Sequence, residues 1–367
     1  MAQRSTGVVI IALILGVAGL GLGTYSSFLK EPIPGPPGAD GDDGVDGTDG
    51  IDGINGTDGE DAPGYFCISE SEINDALTAI GTGAGRIIIT ENITLTATIT
   101  VDQGGTYTIE GESTGITIDC NGNREAISID DVDTLVLKDL TIEAADITST
   151  TTSIIHVNDR NVNIDNVRIL GDSDYLGRGV YITDIYTSVT NCYIYQLRYG
   201  IWSTNTGSFA NIEGNIIEDC DIHGMYLDGP MVICEENQIV DCENGLWVNV
   251  NCHSSTFSNN ILTDNYNAGI YTFSQNSTYS GNVIYGSLLL SAADIYGMYI
   301  GANADYNTIT GNNIHGIATS LASDGYALYL STAEYNCIVG NTLLGSEINF
   351  FNASGGSTNL FANNVYT

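Results

Sequence analysis

One full period of the repeat that decides the fold, together with the triplet that opens the next period, is residues 200–226, GIWSTNTGSFANIEGNIIEDCDIHGMY. It opens with glycine, an aliphatic residue and an aromatic residue, and its second half holds an asparagine followed two places later by isoleucine. The opening triplets are Gly179-Val180-Tyr181, Gly200-Ile201-Trp202, Gly224-Met225-Tyr226, Gly245-Leu246-Trp247, Gly269-Ile270-Tyr271 and Gly297-Met298-Tyr299. The asparagines are Asn215, Asn237, Asn259, Asn282, Asn312, Asn341 and Asn363, at spacings of 22, 22, 23, 30, 29 and 22. A period in the low twenties with short strands predicts a solenoid.

The asparagine series resembles the repeats of pectin-lyase-like right-handed parallel β-helices, a family that includes pectate lyases and viral tailspikes. The resemblance implies an all-β solenoid over residues 86–367, which at roughly 23–24 residues per turn has about twelve turns. The asparagines are expected to form a structural ladder at one turn, which is incomplete upstream, where Val167 and Cys192 take the corresponding positions. Insertions before Asn312 and Asn341 predict longer loops on one face.

Residues 65–85 predict a helical cap on the first turn of the solenoid. Ser69 and Glu72 fit a capping box, and apolar residues at helical spacing follow over 73–80. Gly81 suits the C-terminal end of such a helix. A cap here would cover strand edges that are otherwise open.

Residues 1–30 predict a membrane anchor, because residues 7–29 carry no charge and can span a bilayer core of ~30 Å. Arg4 favours an N-terminus on the cytoplasmic side. A cleaved signal peptide is the competing interpretation. Both place the chain after Lys30 outside the cytoplasm, so we expect a cell-surface, extracellular protein.

Residues 31–64 have glycine at every third position from 35 to 59. The segment resembles the collagen-like stalks of microbial and viral surface proteins, in which only glycine fits at the axis of a triple helix. The resemblance implies a homotrimer. Aspartate fills the last position of seven triplets without compensating Lys or Arg, so cations, salt or flanking contacts would have to offset repulsion. A flexible acidic linker is the alternative.

The chain carries 45 acidic and 9 basic residues, a formal charge of -36, and no Lys or Arg follows Arg198. This composition argues against nucleic acid and anionic membrane surfaces as partners. It fits either a solubility adaptation or a cation-binding role, for which Ca²⁺ is the candidate cofactor.

The triplets predict an aromatic stripe, because alternation along a strand turns the aliphatic residue inward and the aromatic residue outward. The stripe residues are Tyr181, Trp202, Tyr226, Trp247, Tyr271 and Tyr299. Exposed aromatic rings with polar groups suit glycan binding or a subunit interface. Structural stacking is the third interpretation.

Catalytic signals are sparse. Pectate lyases use an arginine base, and no arginine is available after Arg198. The best acidic cluster is Glu218, Asp219, Asp221 and His223, which could supply acid/base chemistry. Asp219 with Asp241, one turn apart, is a candidate metal pair. A solvated acidic turn is the alternative to both.

Cysteines and sequons bear on export. Of eight cysteines, Cys220 and Cys242 both lie five positions after a ladder asparagine, so they are a candidate disulfide. Glycosylation sequons begin at Asn55, Asn92, Asn276 and Asn352.

Three functions remain open at this stage. The first is a non-enzymatic surface protein that presents the solenoid for glycan binding or adhesion as a trimer. The second is a polysaccharide hydrolase or lyase, and the third is a structural subunit of a surface filament or coat. Fold resemblance alone does not choose among them.

Overall fold

The computed structural model describes residues 64–366 apart from 123, 146, 287, 290–293, 320–323 and 354–357. The predicted anchor, the predicted stalk up to residue 63 and the sequon at Asn55 lie outside the described residues. The described chain is a right-handed parallel β-helix of about twelve turns, as the repeat predicts. Successive turns add strands to three parallel sheets, which we name A, B and C in the order the chain visits them.

The three sheets are built from short strands that stack turn on turn. Sheet A contains Gly64–Cys67, Ala84–Ile89, Thr106–Gly111, Thr134–Lys138, Val162–Asp165, Ser188–Thr190, Asn211–Glu213, Ile233–Glu235, Thr256–Ser258, Thr278–Ser280, Thr308–Thr310, Cys337–Val339 and Leu360–Ala362. Sheet B contains Ile93–Thr94, Thr117–Asp119, Thr141–Glu143, Arg168–Leu170, Tyr193–Tyr195, Ile216–Glu218, Gln238–Val240, Ile261–Thr263, Val283–Tyr285, Asn313–His315, Thr342–Leu344 and Val365–Tyr366. Sheet C contains Ile99–Val101, Ile127–Ile129, Ser153–Val157, Arg178–Ile182, Tyr199–Ser203, His223–Leu227, Asn244–Val248, Ala268–Thr272, Ile295–Ile300, Gly325–Leu330 and Ile348–Asn352.

The core is a set of aliphatic columns that run along the axis. In sheet C, Val180 pairs with Ile201 and Ile201 with Met225, and all three side chains are 0% exposed. Burying each such side chain contributes roughly 1.5–3 kcal/mol. The triplet glycines are required by close packing, because a Cβ on Gly200 would lie 2.5 Å from the carbonyl oxygen of Gly224.

An asparagine ladder fills the turn between sheets A and B. The backbone N–H and the side-chain amide of Asn215 both donate to Oδ1 of Asn237, at 3.0 and 2.9 Å. The same pattern repeats along the ladder members Asn215, Asn237, Asn260, Asn282, Asn312, Asn341 and Asn364. Cys192, as predicted, occupies the next position upstream, where its N–H donates to Oδ1 of Asn215 at 2.9 Å.

Two predicted ladder members are wrong by one residue. Asn259 and Asn363 are exposed and adopt positive φ values of 56° and 55°, whereas Asn260 and Asn364 take the ladder positions. The residue before each ladder position turns the corner in the left-handed conformation, which asparagine and glycine tolerate. Each Asn-Asn pair therefore supplies the corner residue first and the ladder residue second.

A second ladder, which the sequence analysis missed, fills the turn between sheets C and A. Ser277 N–H donates to Oδ1 of Asn307 at 2.9 Å, and Asn307 N–H donates to Oδ1 of Asn336 at 2.8 Å. Serine hydroxyls are the acceptors upstream, at Ser255 and Ser277, and asparagine side chains are the acceptors downstream, so no single residue type marks the column in the sequence.

Helix α1 spans Glu70–Ile80, with Ser69 as N-cap and Gly81 as C-cap. The Ser69 hydroxyl accepts from the N–H of Glu72 at 3.3 Å, and the Glu72 carboxylate accepts from the N–H of Ile68 at 2.7 Å. Buried side chains between Ile73 and Ile80 pack α1 against the first strands of sheets A and C. The first strand, Gly64–Cys67, already pairs with Ala84–Ile89, so sheet A starts upstream of residue 86.

All eight cysteines are free thiols, so the predicted Cys220–Cys242 disulfide is not formed. The two residues are fully buried on adjacent turns, and their thiols contact each other without a covalent bond. Burial is also the main cause that raises the pKa of the Cys242 thiol, followed by its contact with Cys220.

Longer connections lie at one edge, between sheets B and C. The insertions before Asn312 and Asn341 both fall here, as predicted, at 286–294 and 316–324. The short strands Leu288–Leu289 and Ala318–Thr319 within them pair with each other. In the part of the chain that the structure describes, no helix has the length and apolar character needed to cross a bilayer.

Candidate functional site

The outward face of sheet C carries the predicted aromatic stripe. Tyr181 pairs with Trp202, Trp202 with Tyr226, and the register continues through Trp247, Tyr271 and Tyr299. These six side chains are half-buried, whereas the aliphatic residue before each is fully buried. The inward and outward assignment of the triplets is therefore correct.

The stripe is longer than the sequence analysis indicated. Tyr299 pairs with Tyr329 and Tyr329 with Phe351, which makes eight aromatic residues on eight consecutive turns. The last two were missed because Ala327 and Asn349 replace the triplet glycine. At ~4.8 Å per turn the eight positions span about 34 Å.

The rings of the C-terminal part of the stripe stack on one another. Trp247 and Tyr271 have ring centroids 4.5 Å apart and planes 4° apart, and Tyr271 and Tyr299 have centroids 4.2 Å apart. The stack continues through Tyr329 to Phe351, with centroids 5.2 and 5.0 Å apart. Stacked rings cover one another's faces, so this part of the stripe offers ring edges and hydroxyl groups to a ligand.

The N-terminal part is arranged differently, around Arg178. Tyr181 and Trp202 meet edge to face at 6.2 Å, and the guanidinium carbon of Arg178 lies 4.5 Å from one ring centroid and 4.2 Å from the other. Nε of Arg178 is buried without a hydrogen-bond partner. No ion pair within the described residues involves Arg178. The aromatic face thus holds a cation that is balanced by π-systems rather than by a carboxylate.

His223 belongs to this face and not to the acidic cluster predicted for it. Its ring lies 5.0 Å from that of Trp247 and 5.5 Å from that of Tyr199, and Nδ1 is 3.2 Å from the side-chain amide of Asn244. It is 8% exposed, and burial lowers its pKa to about 4. His223 is therefore a neutral imidazole at neutral pH.

The predicted carboxylates have other partners. Asp219 accepts from the hydroxyl of Tyr175 at 3.0 and 3.1 Å and from the amide of Gln196 at 3.1 Å. Glu218 accepts from the hydroxyl of Tyr193 at 2.8 Å. Asp221 is exposed. The strand that starts at His223 carries the histidine onto sheet C, which separates its contacts from those of the three acids.

Asp219, Asp241 and Asp264 form a column on successive turns, each at a left-handed corner with φ between 55° and 57°. Burial, followed by the charges of Asp264, Asp219 and Glu218, raises the pKa of Asp241. Among the described residues, no group of three or more His, Cys, Asp or Glu side chains is arranged to hold a metal ion. Metal binding by Asp219 and Asp241 stays a prediction.

The edges of sheet C frame this face. The connections from sheet B to sheet C are long at 144–152 and 171–177, shorten to three or four residues between residues 196 and 267, and lengthen again at 286–294 and 316–324. The centre of the stripe is therefore bordered by the short turns that carry Asp219, Asp241 and Asp264. The first carboxylate after a sheet C strand in this region is Asp228, whose pKa is raised by burial.

Comparison with known proteins supports the fold. Residues 125–289 match the family described as right handed beta helix region. Similar solved structures include the Dettilon tailspike protein, with 14% identity, a TM-score of 0.56, and coverage of 80% of this chain and 64% of that chain. The A-module of the mannuronan C-5 epimerase AlgE6 from Azotobacter vinelandii has 15% identity, a TM-score of 0.59, and coverage of 81% of this chain and 93% of that one. A GH136 lacto-N-biosidase from Eubacterium ramulus has 13% identity, a TM-score of 0.61, and coverage of 83% and 68%.

These likenesses, all at low identity, concern the fold. The chain spans less than two thirds of the tailspike's length. No curated protein matches this chain in sequence.

Proposed function

We propose that this protein is a cell-surface glycan-binding protein that holds a polysaccharide along the outward face of sheet C. The observation that carries the proposal is the unbroken column of eight outward aromatic residues from Tyr181 to Phe351. Half-buried rings with hydroxyl groups form a face that is apolar and also able to donate hydrogen bonds, as carbohydrate ligands require. The similar tailspike, epimerase and lacto-N-biosidase structures are consistent with this use of the fold.

Electrostatics favour the same face. The eight sheet C strands from Arg178–Ile182 to Ile348–Asn352 contain no Asp or Glu, in a chain with a formal charge of -36. A glycan lying there would avoid the acidic turns, and Arg178 offers a guanidinium to a carboxylated sugar. We propose binding of a neutral chain or of one carrying carboxylates near Arg178.

The binding mode differs from flat stacking of sugars on each ring. Because Trp247, Tyr271, Tyr299, Tyr329 and Phe351 cover one another's faces, a glycan there would contact ring edges and tyrosine hydroxyls. Because Tyr181 and Trp202 meet edge to face, the N-terminal end of the stripe would discriminate between glycans more strongly than the stacked C-terminal part.

The N-terminal sequence completes the proposal. Residues 7–29 would anchor the chain in a membrane, and the Gly-X-Y stretch would join three chains into a trimeric stalk. In this arrangement the aromatic faces of three solenoids are displayed outside the cell for adhesion.

An enzymatic alternative rests on His223. It is a neutral imidazole beside Tyr199 and Tyr226, on a face that also holds Arg178, and such groups could abstract a proton next to a sugar carboxylate. A polysaccharide lyase would need these groups, whereas a two-carboxylate hydrolase finds no acid on the sheet C strands. The third alternative, a filament or coat subunit, requires neither the histidine and arginine of a lyase nor the two carboxylates of a hydrolase.

The test is depletion binding of the full chain, in mild detergent, to a panel of neutral and carboxylated polysaccharides, with the supernatant assayed for released sugar. We expect binding without release, and loss of binding in Trp202→Ala/Trp247→Ala. The matched control is Tyr285→Ala, which removes an exposed aromatic residue from sheet B. Release that is abolished by His223→Gln would establish the lyase, and absence of both binding and release would favour the structural subunit.

A further inference from the structure

A second aromatic surface lies at the turn between sheets C and A, away from the stripe. We name it the turn ridge: Tyr186, Phe209, Met231, Tyr306 and Tyr335, which are 42–56% exposed. Backbone hydrogen bonds from the first four of these residues to the next turn place them in one column, such as the bond from Phe209 N–H to Pro230 O at 3.0 Å. Tyr186 stacks on Phe209, and Tyr306 on Tyr335, each pair with ring centroids 5.0 Å apart.

The ridge residues are unusual because of their backbone. All five adopt left-handed conformations, with φ between 57° and 60°. Bulky side chains are disfavoured there, where glycine, asparagine and aspartate are tolerated. The turn before Tyr186 has asparagine at the corresponding corner, Asn161, with a φ of 59°. At five of the seven corners from Tyr186 to Tyr335 the sequence places a large apolar group where the backbone disfavours it and leaves it exposed, whereas Ser254 and Asn276 occupy the other two.

One row of side chains beside the ridge, on sheet A, is uncharged, whereas Asp305 and Glu334 lie on its other side, directly before Tyr306 and Tyr335. The nine outward positions of sheet A that follow the ridge by two residues, from Asn163 to Leu360, carry no Asp, Glu, Lys or Arg. Two of them, Ile233 and Leu360, are apolar and 45% and 59% exposed. Such a strip is notable on a chain with 45 acidic residues.

We propose that the turn ridge and this uncharged strip form an interface between copies of this chain. Charge favours this occupant: two bodies of charge -36 repel least where their surfaces carry few carboxylates, as along the sheet A strip, whereas a basic partner would gain more from the acidic turns. Exposed aromatic residues beside uncharged polar ones are typical of the centre of such interfaces. The Gly-X-Y pattern over 35–61, which would bring copies side by side, points to the same occupant. The interface does not depend on glycan binding, since it lies on a different face.

The left-handed corners make the proposal testable without unfolding the protein. Tyr306→Gly/Tyr335→Gly and Tyr186→Gly/Phe209→Gly introduce a residue that the conformation prefers, so each variant should keep or raise the melting temperature. The matched control is Ser254→Gly, at a left-handed corner of the same column without an aromatic side chain.

The experiment is hydroxyl-radical footprinting of the full chain over a range of concentrations, with sedimentation velocity on the same samples. We expect Tyr306 and Tyr335 to be oxidised several-fold more slowly than Tyr285 once the chain assembles, although Tyr285 is less exposed in the single chain. The ridge variants should lower the sedimentation coefficient or, where the stalk holds the copies together, restore oxidation of the remaining ridge residues. Ser254→Gly should do neither.

Equal oxidation of ridge tyrosines and Tyr285 at every concentration would overturn the proposal. So would protection that appears only when a polysaccharide or another protein is added, because the occupant would then not be a second copy. If the wild-type chain binds no glycan but its ridge tyrosines are protected as expected, only the function proposed for sheet C is contradicted, and the interface proposal stands.

Discussion

Asn259 and Asn260 are adjacent in the chain but lie in opposite environments. Asn259 is exposed at a corner with a φ of 56°, whereas Asn260 is fully buried and its Oδ1 accepts from the N–H and the side-chain amide of Asn237, at 3.0 and 2.9 Å. The Asn260 amide donates in turn to Oδ1 of Asn282 and to the carbonyl of Cys234. Two identical residues therefore contribute very different amounts to stability.

We expect Asn260→Ala to lower the free energy of unfolding by about 3 kcal/mol or more, because it leaves buried groups on Asn237 and Cys234 without partners. Asn259→Gly should change it by less than about 1 kcal/mol, since glycine tolerates the corner. Urea denaturation followed by circular dichroism measures both. Equal effects would mean that the ladder register described above is wrong.

Arg178 should set the preference of the aromatic face for charged sugars. Removing its guanidinium in Arg178→Gln is expected to weaken binding of a carboxylated oligosaccharide about tenfold, the range for a charged hydrogen bond, and to leave a neutral one unchanged. Titration calorimetry with a matched pair of oligosaccharides measures the difference. A uniform loss for both ligands would instead indicate that Arg178 acts by holding Tyr181 and Trp202 in place.

His223 predicts a specific dependence of stability on pH. Its pKa is lowered to about 4 in the folded chain, from an ordinary value near 6.5, so the unfolded chain binds more protons between these values. Its contribution is fully present above pH ~6.5 and is lost as the pH falls toward 4, by about 3 kcal/mol in total. Subtracting the unfolding profile of His223→Gln from that of the wild type isolates this contribution. A flat difference between pH 7 and 4 would contradict the burial of His223.

The acidic column should respond in the opposite sense. The raised pKa of Asp241 means that the folded chain holds its proton more tightly, so this group stabilises the fold as the pH falls through its pKa. At neutral pH, Asp241→Asn should raise stability by a fraction of a kcal/mol, because the corner is exposed and screened. Thermal unfolding with and without Ca²⁺ also tests the metal pair: stabilisation by Ca²⁺ that disappears in Asp241→Asn would establish it.

The thiols should be largely unreactive. Burial raises the pKa of Cys120, Cys192 and Cys252 to about 12, and only Cys337 among the eight cysteines is partly exposed. We expect Ellman's reagent to label one thiol in the native protein, none in Cys337→Ser, and eight after denaturation. A mass deficit of two hydrogens in the intact protein would show that Cys220 and Cys242 had oxidised after all.

The period of the repeat is enough to predict the turns, the inward aliphatic columns and the outward stripe. Glycine marks the close approach of neighbouring turns, asparagine marks the ladder, and alternation along a strand separates inward from outward side chains. The ladder register was not predictable at Asn259 and Asn260, since Ile261 and Leu262 are both apolar and either could face inward. Only the packing across turns shows that Ile261 is 44% exposed and Leu262 is buried.

The candidate site was predicted in part. The stripe residues come together, but the mutual stacking of Tyr271 and Tyr299 depends on side-chain packing between turns, which spacing does not reveal. Closeness in sequence groups His223 with Asp219 and Asp221. The start of a strand at His223 separates them, and this boundary has no signal in the residue types around it.

The in-register stacking of sheet C has an evolutionary consequence. Each turn pairs only with the turn before and after it, so duplication or loss of one repeat unit of some 22 residues would leave every other pairing intact. Such an event would lengthen or shorten the aromatic column by one ring and ~4.8 Å. The lineage of this protein can therefore adjust the reach of its surface by counting repeats, without redesigning any of them.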